Sequence, residues 1–141
     1  MARPHGLAIF ICDILPHMPR NRIVVGFIAS ALLLLNAMVH SIVGAPAMLQ
    51  ELRALKVRQD LEQSLLAAWQ LGGVLMLLAG LVCGHAFLRA WRGDTQQVFT
   101  PRVIGVGYVL FGLWAMLGAA MEPFYLVFVV PGLLLVFAAR G

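Results

Sequence analysis

The stretch IVVGFIASALLLLNAMVHSIV, residues 23–43, runs twenty-one positions without a formal charge. A helix needs about 20 apolar residues to cross a hydrocarbon core about 30 Å thick, so this stretch sets the fold class as an all-α membrane protein. Three further runs of the same kind follow at residues 65–88, 103–121 and 124–139. The last is the shortest and carries Pro131-Gly132 in its middle, which predicts a kink or a locally re-satisfied backbone. None of the four alternates in the manner of a membrane strand. The expectation is a single membrane domain, residues 1–141, built as a four-transmembrane-helix bundle.

Composition agrees. Of 141 residues, 62% are hydrophobic and 11% charged, against about a quarter charged in an ordinary soluble domain. The ten basic residues stand singly or in pairs at the ends of the apolar runs. No cluster exists that would track a phosphate backbone, so nucleic acid is excluded as a partner and the lipid bilayer takes its place. Nine of the ten are Arg, which with the abundant Ala, Gly and Leu suggests a GC-rich bacterial genome.

The same residues orient the chain. With both termini on one side, that side holds Arg3, Arg20, Arg22, Arg89, Arg92, Arg102 and Arg140, and the other holds Arg53, Lys56 and Arg58. Seven against three places both termini in the cytoplasm and the protein in the bacterial inner membrane. Glu51, Asp60, Glu62 and Glu122 all fall on the outer side. A cleaved signal ending at Ala45-Pro46-Ala47 is a poorer account, because the apolar run is about twice the usual 7 to 15 residues.

Two pieces do not span. LAIFICDIL, residues 7–15, is short and interrupted by Asp13, and reads as a surface helix on the inner side. Residues 47–58, behind a Gly44-Ala45-Pro46-Ala47 stop, place Met48, Leu49, Leu52 and Leu55 on one face and read as an amphipathic helix on the outer surface. Asp60 with Gln63 resembles a capping box opening the second span.

Within the spans, small residues form stripes where helix backbones approach each other. The first carries Gly26, Ser30, Ala37, His40 and Gly44, the second Gln70, Gly73, Gly80 and Gly84, and the third Gly105, Tyr108, Gly112, Ala115, Ala119 and Glu122. Each stripe includes one polar residue near the outer boundary: His40, Gln70 and Glu122. Asn36 lies one turn deeper than His40, and Tyr125 follows Glu122 across a short turn. These five make the candidate polar cluster.

Two interpretations compete for it. In one, the side chains bond to each other and pin helix register. In the other, they hold a proton, a quinone headgroup or a lipid headgroup, as intramembrane ionisable groups often do. Haem held by two histidines does not fit, because His85 lies most of a bilayer away from His40. Catalytic zinc wants three protein ligands where only His40 and Glu122 are good candidates. His5, Asp13 and His17 show no regular ligand spacing, and Cys12 and Cys83 form no CxxC pair. Trp69 and Trp114 read as packing or interface residues.

His40-Ser41-x-x-Gly44, together with Trp69-Gln70 opening the second span, resembles small uncharacterised bacterial four-helix integral membrane proteins. The resemblance implies fold and location and no activity. Small multidrug transporters carry a glutamate in the first helix, which is absent here, and quinone-linked disulfide-forming proteins need outward cysteine pairs, also absent. Two functions remain. One is a non-catalytic membrane module, a homo-oligomer or an accessory subunit of a larger membrane complex. The other is a small transporter or quinone/lipid-binding protein. No motif names a cofactor.

Overall fold

A computed structural model describes residues 18–140. The surface helix expected at 7–15, and with it His5, Cys12, Asp13 and His17, lies outside the described residues. Among those described the chain is all-helical. Helix α1 covers Arg20–Val39 and α2 Ala45–Ala54; α3 follows as Gln59–Trp91, α4 as Phe99–Gly118 and α5 as Leu126–Ala138. Three stretches are long and apolar enough to cross a membrane: Arg20–Ala54, Gln59–Trp91 and Gln96–Gly118. The apolar stretch Pro123–Ala138 is shorter.

The first of these is longer than expected, because the stop at Gly44-Ala45-Pro46-Ala47 does not stop the helix. A π turn over His40–Gly44 joins α1 to α2. Pro46 would drive its ring into the carbonyl of Ile42 in a regular helix. Widening the turn by one residue relieves that crowding, and the Ala45 N–H bonds His40 O, five residues back. The helix then runs on to Ala54. Met48, Leu49 and Leu52 are half-buried along it, while Leu55 lies beyond its end and is exposed.

The capping box at Asp60 and Gln63 is also corrected. The helix opens earlier, with Arg58 as its extended N-cap and no side-chain cap. Asp60 sits inside the first turn, where a carboxylate suits the positive helix end, and accepts from Arg58 at 2.6 Å. Arg53 on α2 donates from Nε and Nη2 to Glu62 on α3, both at 3.0 Å, tying the connection together.

At the other end of α3 a Schellman turn closes the helix. Gly93 takes φ +96°, and the Asp94 N–H reaches Arg89 O at 3.0 Å. Asp94 then turns its side chain to both sides, accepting from Arg89 Nε at 3.1 Å and from the Gln96 N–H at 3.2 Å. The guanidinium of Arg89, followed by the Gln96 amide, holds the Asp94 carboxyl below the usual carboxylate range.

Packing centres on α1, which lies between α3 on one side and α5 on the other, while α4 leans on α5 and meets α3 only thinly. Ile23, Gly26, Ala29, Ser30, Leu33 and Ala37 are the buried residues of α1. Ile23, Ala29 and Leu33 form one core cluster with Phe87 and Cys83 of α3 and Leu135 and Ala138 of α5. The Phe87 ring occupies the space where Gly26 lacks a side chain. Gly105 of α4 and Gly132 of α5 pair back to back: a Cβ on either would stand 2.8 Å from the other's carbonyl oxygen. At the end of the helices that holds both described termini, Arg22 Nη1 donates to Arg140 O at 2.7 Å.

Candidate functional site

His40 opens the π turn and lies flat against Trp69 of α3, with ring centroids 4.3 Å apart and planes 4° from parallel. The two residues exchange hydrogen bonds. His40 Nε2 donates to Trp69 O at 2.9 Å, and Trp69 Nε1 donates to His40 O at 2.9 Å. A carbonyl can only accept, so Nε2 carries a proton. Glycines make the approach fit: a Cβ on Gly44 would meet the Trp69 ring at 2.9 Å, and one on Gly72 would meet His40 Nε2 at 3.4 Å. Gly73 gives the corresponding room to Ser41.

Asn36, one turn before His40, has a different partner. Its Nδ2 donates to Val127 O on α5 at 2.7 Å. Val127 stands four residues before Pro131, and proline has no N–H to give the carbonyl at that position. Away from water an unpaired carbonyl is costly, so the amide of Asn36 replaces the helical bond that Pro131 removes. Of the two expectations for this segment, a kink or a re-satisfied backbone, the hydrogen bond shows the second.

Asn36 and His40 line one cavity of about 180 Å³, with Val43, Trp69, Met76 and Phe124 among its other walls. The remaining members of the candidate cluster are elsewhere. Gln70 is half-buried and Glu122 is exposed in the turn before α5. Neither lines that cavity, and neither makes a side-chain hydrogen bond among the described residues. Tyr125 is half-buried and meets Phe124 edge-on at 5.7 Å.

Two larger apolar cavities adjoin the first. One, of about 430 Å³, fills the thin contact between α3 and α4, where Gly72, Leu75 and Ala79 face Ile104, Gly107 and Phe111. The other, of about 570 Å³, lies beneath α2 and is walled by Met48, Leu52, Leu65 and Trp69. Met76 and Phe128 are walls of all three. His40 itself lines the small cavity and the one beneath α2.

Trp69 is the neighbour of His40 that the sequence underplays. Its signal is Gly44 opposite, which leaves room for the Trp69 ring, as Gly72 does for the ring of His40. Among the described residues no three His, Cys, Asp or Glu side chains gather as a metal site would require. Comparisons with protein-family models, with curated proteins and with solved structures return no match to this chain.

Proposed function

We propose that this chain is a four-span protein of the bacterial cytoplasmic membrane, with both termini on the cytoplasmic side. It acts without catalysis, taking up an amphiphile dissolved in the membrane through the opening between α3 and α4. The asymmetry of seven basic residues against three supports the orientation. The Arg22–Arg140 hydrogen bond, which brings both described ends of the chain to one side, agrees with it. Pro123–Ala138, about 24 Å long at 1.5 Å per residue, is the fourth span. Its proline-interrupted backbone is tolerable in hydrocarbon because Asn36 supplies the missing donor.

The observation that carries the reading is the set of three neighbouring cavities that share Met76 and Phe128 as walls. Pockets of about 300 to 1,000 Å³, mostly apolar with a few polar groups, are the usual form of a small-molecule site. The test is native mass spectrometry of the protein purified in mild detergent, beside a Gly107→Leu variant. A Cβ at Gly107 meets nothing within 4 Å, so leucine obstructs the opening without crowding the fold. Wild type should carry a bound amphiphile in near-stoichiometric amount and the variant should lose it. Equal, empty spectra would sink the proposal.

A second reading, a self-associating module or an accessory subunit of a larger membrane complex, is favoured by α4. Of its twenty residues only Pro101, Gly105 and Gly112 are buried, and Leu110, Trp114 and Leu117 are exposed. A stoichiometric protein partner, or a homo-oligomer, in the same spectra would support it.

A further inference from the structure

The polar atoms of the small cavity specify more than a preference for apolar matter. His40 spends its ring N–H on Trp69 O, and in a neutral imidazole that donates through Nε2 the Nδ1 is a lone-pair acceptor. Asn36 directs its amide nitrogen to Val127 O, which leaves Oδ1 as a second acceptor. Neither atom has a hydrogen-bond partner among the described residues, yet no buried side-chain N or O there goes without one. Both acceptors therefore keep accessible surface. Their two residues share the walls of the 180 Å³ cavity.

We infer that this cavity receives the hydroxyl of a single-chain amphiphile, the O–H donating to His40 Nδ1 or Asn36 Oδ1, while the chain lies in the α3–α4 opening. The inference rests on the lateral uptake proposed above. A headgroup with acceptors alone would leave both protein acceptors unpaired on binding, and a carboxylate would face two lone pairs. Size agrees as well, since a cavity of about 150 Å³ holds a benzene ring and this one is slightly larger. The aromatic walls Trp69, Phe124 and Phe128 suit a flat headgroup. The shared chemistry is a hydroxyl donor at the end of one chain, whether phenolic, as in a hydroquinone, or aliphatic, as in a long-chain alcohol.

Trp69 provides the readout. In a W91F/W114F variant it is the remaining tryptophan, stacked on the ring that would accept the bond. The full chain in nanodiscs is titrated with 4-decylphenol, with its methyl ether 4-decylanisole, and with 1-dodecanol, each also against the G107L form of the same variant. Decylphenol should shift Trp69 emission saturably and bind about tenfold more tightly than the ether, the worth of one good hydrogen bond. That preference should vanish with G107L. Dodecanol matching decylphenol identifies the hydroxyl alone as the recognised group; weaker binding, still tighter than the ether, identifies the aromatic hydroxyl. Phenol and ether binding equally would overturn the headgroup assignment while lateral uptake stands. No saturable response to any of the three would overturn both.

Discussion

Helix α3 has two long flanks, and they are closed to different degrees. Toward α1 its small residues meet large partners: Leu34 against Gly80, and His40 and Ser41 against Gly72 and Gly73. The exchange also runs in reverse, with Phe87 and Trp69 of α3 seated on Gly26 and Gly44. Toward α4, Ala79 faces Gly107 across a cavity of about 430 Å³. A small residue seals a helix contact when a ring or a leucine enters the space it leaves. Opposed to another small residue, it leaves a gap. Composition alone does not separate the two outcomes, because both flanks are rich in glycine and alanine.

The largest effect should come from the same substitution placed on the sealed and the open flank. Gly26→Leu forces a side chain into the fully buried Phe87 ring and should cost about 3 kcal/mol, the upper part of the overpacking range. Gly107→Leu should be neutral or stabilising by up to about 1 kcal/mol, since leucine is the better helix former. Reversible unfolding in mixed detergent micelles measures both. Similar losses at the two positions would erase the distinction between the flanks.

A smaller effect tests how α1 is fastened to α5. Asn36→Leu strips Val127 O of its donor and should destabilise by about 1 to 2 kcal/mol, the cost of an unsatisfied buried carbonyl. Pro131→Ala restores an N–H that can reach that carbonyl along α5 itself. In the alanine background the leucine substitution should therefore hurt less, with a coupling of about 1 kcal/mol in the double-mutant cycle. Strict additivity would show that the amide is not standing in for the proline.

The smallest effect belongs to the turn beyond both flanks. Arg89 and the Gln96 amide depress the folded-state pKa of Asp94. Their contribution is therefore fully present above the ordinary carboxylate range, and is lost as pH falls from about 4 through the lower folded value. Asp94→Asn should flatten that acid limb by lowering the neutral plateau slightly while leaving the low-pH end almost unmoved, as followed by unfolding midpoints from pH 3 to 7. An unchanged acid limb would place the dependence on other carboxylates.

Hydrophobic runs and small-residue spacing were enough to read an all-helical chain with long apolar helices, because both are local properties of the sequence. What escaped is tertiary or depends on how a helix accommodates strain. Gly44-Ala45-Pro46-Ala47 looks like a terminator, yet a π turn carries the helix through it. Asp60 has the spacing of a cap but falls two residues inside the helix. The candidate cluster assumed that residues at one depth converge. Depth does not set direction around a helix, and His40 met the neighbour of Gln70 instead of Gln70 itself. The Asn36 bond joins positions 91 apart in the chain, although Pro131 announced in advance that some donor would be needed at Val127.

The π turn at His40–Gly44 also works as a phase shifter. One additional residue in a helical turn rotates everything after it by about 100°, so α2 departs from the direction that α1 alone would impose. Met48 and Leu52 come to roof the 570 Å³ cavity because of that rotation. Deleting a single residue between His40 and Gly44 would leave the composition of both helices almost untouched and turn the roof aside. Length at this point, more than residue identity, sets what covers the cavity.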